Sequence, residues 1–271
     1  MKYTFLLELT NNLDFIAKSI LGGELDKMRL ISEDGGEEKC QFFAENNIIY
    51  IVYGIFPDKK GKWILEQMAN HFSELILGRN INRLTKLEKH EIELKFDSIT
   101  RFILKEYVNL QEVFSDQEIP YLEDKIRIDY FGLSSKSIGV ISLLLGDKLN
   151  VEILGSFNNP EEIREMKEST LTAKIEAIAA NTQGNTNAVP RWIAVKLGFQ
   201  KYRFLTFKRY QNNYYLYMLS EGNLGKIEKV EVKLEPLIKE VIDSPFSGNL
   251  RPFNQVKINL NEMFKQGQEF Y

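Results

Sequence analysis

A chain of 271 residues exceeds the usual size of one domain and suits two, of about 100 to 150 residues each. With 44% hydrophobic and 27% charged residues it is not a disordered or low-complexity chain. A net charge of −3 argues against a protein that coats nucleic acid, which must displace counterions with many Lys and Arg side chains, so no nucleic-acid partner is expected. Residues 3–9 read as a buried strand, and Asn12 caps a helix in which Leu13, Ile16, Ala17, Ile20 and Leu21 share one face before Gly22 and Gly23 stop it. Three strands follow at 28–32, 39–44 and 48–56, divided by Asp34-Gly35-Gly36 and Asn46-Asn47, both strong hairpin signals.

The lone Cys40, in the second of these strands, excludes an intramolecular disulfide and a Cys-based zinc site and fits a reducing cytoplasm. Residues 48–53 are apolar on both faces and demand a helix nearby. That helix spans 62–77, with Ile64, Met68, Phe72, Leu75 and Ile76 on one side and Gly78 as its stop. In a third helix Phe96, Ile99, Ile103, Tyr107 and Leu110 recur at three and four residues, with Lys95, Asp97, Arg101 and Lys105 off that stripe.

Residues 115–124, with Pro120, read as a linker, which sets the domains at 1–118 and 119–271. Strands are expected at 126–130, 138–145 and 149–154, then a helix from Pro160 whose Glu161 and Glu162 suit the positive end of its dipole. A surface loop is expected at 183–187, followed by strands at 192–197, 202–207 and 214–219. A helix covers 227–242, its first half clouded by Pro236 and by the alternation of Val230, Glu231 and Val232. Beyond Pro245 the pattern is irregular, and 256–260 suits an edge strand. No stretch approaches the ~20 apolar residues of a membrane span, and the chain reads as soluble or at most peripheral to membranes.

Strand, strand, helix, three strands, helix resembles the order of the roadblock and longin group. The second half matches it nearly whole, and the first half from Tyr3 onward, with a further C-terminal helix. The run Lys95-Phe96-Asp97-Ser98-Ile99-Thr100-Arg101-Phe102-Ile103-Leu104-Lys105-Glu106-Tyr107 also resembles the closing helix of the small adaptor-complex subunits of vesicle coats. The resemblance implies an α/β (α+β) chain of two domains, each a five-stranded antiparallel sheet sandwiched by helices. It implies a non-enzymatic scaffold or regulator whose partner is a small GTPase, a trafficking-complex subunit or another longin/roadblock protein. Peripheral membrane contact and homo- or hetero-oligomers fit the same group. PAS and GAF domains have comparable orders, so a small-molecule sensory module with an enclosed apolar pocket is the alternative.

Neither a Gly-x-x-x-x-Gly-Lys-Ser/Thr loop nor Gly-x-Gly-x-x-Gly is present, so the chain itself lacks the usual phosphate-binding motifs. His71 and His90 stand outside any metal-binding spacing, Cys40 suits a packed strand, and Ser134, Ser135, Lys136 and Ser137 suit a polar turn. No catalytic residue, cofactor or metal ligand is therefore expected. The best contact candidates are Lys201, Arg203, Phe207 and Arg209: in a strand, Lys201, Arg203 and Arg209 share a face with Leu205 and Phe207, while Tyr202, Phe204 and Lys208 share the other. The same pattern suits a half-exposed strand whose Lys and Arg protect an edge from aggregation.

Overall fold

The computed structural model describes residues 10, 13–15, 17, 18, 21–32, 34–109, 126–135, 139–146, 149, 151, 153, 159–186, 188–199 and 201–265. The strands, in chain order, are β1 (Glu24–Ser32), β2 (Glu37–Glu45), β3 (Ile48–Gly54), β4 (Arg127–Ser135), β5 (Gly139–Leu145), β6 (Ala188–Gly198), β7 (Lys201–Arg209) and β8 (Tyr214–Glu221). The helices are α1 (Asp58–Leu75), α2 (Lys86–Asn109), α3 (Pro160–Thr186), α4 (Leu224–Ile242) and α5 (Arg251–Lys265). The protein is thus mixed α/β, with antiparallel strand pairing. It divides into one unit formed by Met1–Glu37 with Ile119–Tyr271 and a second formed by Glu38–Glu118.

In the first unit six strands pair antiparallel in the order β1-β6-β7-β8-β4-β5. Ile128, Phe131, Leu133, Phe204, Leu216 and Met218 face Ile227, Val230, Leu234 and Ile238 of α4 and Phe253, Val256, Leu260 and Phe264 of α5 in one core. Burying each such side chain stabilises by roughly 1.5–3 kcal/mol before chain entropy is counted. Residues alternating out of that core, among them Tyr130, Leu205, Phe207 and Tyr217, point the other way. There α3 packs against β5 and β6, and the Tyr130 hydroxyl meets Thr172 of α3. Leu13 and Ala17, helical and buried, belong to the same unit.

The second unit is built on the β2–β3 hairpin, in which Phe43 lies opposite Tyr50 and Glu45 opposite Ile48. Asn46 and Asn47 at its tip have φ of 51° and 62°, the left-handed pair that a two-residue turn matched to strand twist requires. On the face carrying Phe43, Tyr50 and Val52, α1 packs Leu65, Ala69 and Phe72. Gly61 allows that close approach, because a Cβ there would collide with the side chains of Gln41 and Phe56. Lys39 Nζ donates to Asp58 Oδ1 at 3.0 Å, a buried pair that ties β2 to the first turn of α1. α1 runs out at Gly78, φ 72°, and α2 opens on a capping box in which Thr85 and Glu88 satisfy each other's backbone amides.

Several expectations change. The sheet of the first unit has six strands, where five were expected, because β1, from the first half of the chain, hydrogen-bonds to β6. Residues 183–186 continue α3: the stripe Leu171, Ile175 and Ile178 runs on to Thr182, which is fully buried with its hydroxyl on the Ile178 carbonyl. Residues 256–260 lie in α5 and form no edge strand, since Phe253, Val256, Leu260 and Phe264 recur at three and four residues. Ser134 and Ser135 form no turn but complete β4, buried, with Ser134 Oγ bonded to the Tyr217 hydroxyl. Of the strand expected at 149–154, Leu149, Val151 and Ile153 are described and none is in a strand. The expected strand at 3–9 and linker at 115–124 lie outside the described residues.

Candidate functional site

The alternation expected along 201–209 holds: Tyr202 and Phe204 enter the α4–α5 core, and Lys208 Nζ reaches Glu235 of α4 at 2.9 Å. The strand is not a half-exposed edge, however, because β7 lies between β6 and β8. Nor do the four contact candidates form one exposed surface. Lys201 is exposed at the strand start, and Phe207 is buried edge-on to Tyr217. The Arg209 guanidinium stands 5.9 Å from the Tyr215 ring centre.

Arg203 belongs to a charge cluster within the first unit. Its Nη2 donates to Glu221 Oε2 at 3.0 Å, its Nε lies 3.5 Å from Asp129 Oδ2, and its Nη1 donates to the Leu21 carbonyl. Arg127 completes the set, donating to Asp129 Oδ1 and to Glu221 Oε2, each at 2.7 Å. A bulge between Ile128 and Tyr130 gives Asp129 its place, since an extra residue re-aims its side chain. Two guanidinium groups against two carboxylates make a neutral, mutually bonded set. Removing one member would leave a partly buried charge without its partner, which destabilises the sheet. The cluster locks the sheet and leaves little charge to offer a ligand.

The nucleophiles are similarly committed. Burial pushes the Cys40 thiol up to about 12, aided by the neighbouring Glu38 charge, so it stays protonated and inert at neutral pH. His71 and His90 sit on helix surfaces beside Glu74 and Glu93. Among the described residues no three His, Cys, Asp or Glu side chains converge as a metal ion would need. A cleft of about 400 Å³ between α3 and β5 is lined by Ser142, Glu165, Ser169, Thr172 and Glu176, with Glu168 bound to Arg164 and Lys257. Another, of about 570 Å³, lies between Tyr210, Gln211 and the α4 residues Val232, Glu235 and Lys239. Polar and charged side chains line much of both, unlike the enclosed apolar pocket of a sensory module.

A row of exposed apolar side chains lies on α2. One side of the helix is packed, with Ile92 and Ile103 buried and Phe96 edge-on to Phe72 at 4.9 Å. The far side is apolar too: Leu87, Leu94 and Phe102, spaced by seven and eight residues, are 78%, 59% and 59% exposed. The sequence spacing shows the first stripe, whereas Leu87, Leu94 and Phe102 repeat only at seven and eight residues and emerge only over a longer stretch. The flanking ion pairs Lys95–Glu91 and Arg101–Asp97 leave that apolar row open.

Comparison with known proteins finds no matching family model, curated protein or solved structure. Among the described residues no helix is long and apolar enough to cross a membrane.

Proposed function

We propose that the chain is a non-enzymatic scaffold or regulator that binds small GTPases or trafficking-complex subunits through longin- and roadblock-like platforms. The observation that carries this reading is the second apolar stripe of α2, since large side chains exposed in a row on a packed helix serve recognition better than folding. The finer fold assignment rests on element order: strand, strand, helix, three strands and helix from β4 to α4, and a hairpin followed by a helix from β2 to α1. In this reading another longin/roadblock protein is the alternative partner on the same stripe.

The test is a binding assay of the purified chain against the small GTPases of its own genome, each in both nucleotide states. At least one is expected to bind, and the double variant Leu94→Asp with Phe102→Asp is expected to lose it by more than about tenfold. Binding to none in either state removes the GTPase version; full binding by the double variant removes α2 as the platform.

A further inference from the structure

We infer that the connection between α1 and α2 is a docking tip for an anionic membrane surface. From Leu77 into the first turns of α2 it carries Arg79, Arg83, Lys86 and Lys89 against the carboxylates of Glu88 and Glu91, both of which feel the Arg79 charge, a local charge of +2 in a chain whose total is −3. All four cations are exposed, and interleaved with them are Leu77, Ile81 and Leu87, at 83%, 37% and 78% exposure. Exposed aliphatic side chains among cations are the chemistry of an interfacial anchor: the apolar groups enter the acyl boundary while the cations hold anionic head groups.

The backbone of the tip supports this use. Backbone amides that are hydrogen-bonded within the loop lose less on leaving bulk water than free ones. Here Arg79 N–H bonds the Ile76 carbonyl, the Asn80 side chain accepts from the Asn82 amide, and Arg83 N–H bonds the Asn80 carbonyl. Glu88 is turned back onto Thr85, whose amide and hydroxyl both donate to it, and Glu91 is paired with Lys95; the Arg79 charge acts on both. These hydrogen bonds, with Gly78 at φ 72°, hold the connection in a defined shape with its aliphatic side chains uncovered. An anionic bilayer is the occupant that satisfies both observations, because a purely apolar partner would strand the four cations and a polyanion would leave the three aliphatic groups in water. The inference goes beyond the scaffold reading, whose partner is a protein; the two surfaces meet at Leu87, so the protein partner is tested through Leu94 and Phe102 and the membrane also through Arg83 and Lys86.

Vesicle sedimentation of the full chain tests it, comparing pure phosphatidylcholine with vesicles in which about a third of the lipid is phosphatidylserine. The chain is expected to sediment with the second and hardly with the first, and to be released as salt is raised. Arg83→Glu with Lys86→Glu should lower partitioning more than about tenfold, since each cation near such a surface accounts for about fivefold. Leu77→Ser with Leu87→Ser should lower it as well, which ionic attraction alone would not produce. All four positions are exposed, so melting curves of both variants should match the parent, and Lys201→Glu with Arg209→Glu on β7 should bind as the parent does. Equal sedimentation with both vesicle types, or with neither, overturns the inference. So does full binding by the leucine pair, or sedimentation velocity showing a dimer that this pair dissociates, which would make a second copy the occupant.

Discussion

Glu231 of α4 sits half-buried over β7, where its carboxylate accepts a hydrogen bond from Thr206 Oγ1. Burial raises its pKa above the usual carboxylate range, and the Thr206 bond and the Lys208 charge offset this only in part. The folded state therefore holds this proton to a higher pH than the unfolded chain does. Stability is lost as pH rises from the unfolded pKa through the folded one. Glu231→Gln, which keeps the shape without the charge, should raise the melting temperature at neutral pH. That gain should shrink as the buffer is taken down toward about pH 4, where the parent carboxyl is protonated as well. A gain independent of pH in a thermal-melt series would exclude the desolvation account. Tyr130, whose hydroxyl burial also holds above its usual range, reaches no such window at working pH.

α4 runs unbroken from Leu224 to Ile242 although Pro236 lies inside it. A proline there removes one backbone bond and crowds the preceding turn, yet the ring is on the exposed side, and the stripe Ile227, Val230, Leu234, Ile238 and Val241 keeps the helix on the sheet. Tertiary burial overrides a local penalty of about 3 kcal/mol. Pro236→Ala should therefore stabilise the protein by about 1 to 3 kcal/mol in denaturant titration, and a loss of stability would exclude a net local penalty from the proline. The same competition between local signal and packing decides what was readable in advance. Turns were legible, because Asn46, Asn47, Asn212 and Asn213 all adopt the positive φ that their side chains tolerate. Residues 256–260 misled because Val256, Ile258 and Leu260 alternate as a strand would, while the buried set Phe253, Val256, Leu260 and Phe264 needs the longer period and shows only over a longer window. The polar run at 183–186 looked like a loop because composition does not register a threonine buried by back-bonding to its own helix. Of the contact candidates, nothing in the local pattern revealed that Arg203 would meet Asp129 and Glu221, since those partners arrive from two other strands. The outer stripe of α2 was legible in principle, at spacings of seven and eight, once the helix start at Thr85 was recognised.

At the scale of the whole molecule, the first unit is made from two separated stretches of chain, with Glu38–Glu118 folding as its own unit between them. The pairing of β1 with β6 is correspondingly long-range: Arg29 lies opposite Trp192, and the ion pair between Arg191 and Glu37 joins residues 154 positions apart. Closing so large a loop has an entropic cost that must be met before the contact stabilises anything, so β1 should dock late. Leu30, fully buried opposite Pro190, reports on this step. Leu30→Ala should destabilise by about 2–5 kcal/mol and express it almost wholly as faster unfolding, with the refolding rate unchanged in stopped-flow measurements. Slower refolding in proportion would place β1 in the nucleus instead.

The pairing of β1 with β6 also sets a timetable for synthesis. At about 5–20 residues per second, the ribosome needs on the order of ten seconds after releasing β1 to deliver its partner strand. Through that interval Leu25, Met28 and Leu30 belong to a strand whose β6 neighbour does not yet exist. The nascent chain thus exposes an apolar segment until β6 emerges, which makes the yield of correctly folded protein sensitive to translation speed and to chaperones that shelter such segments.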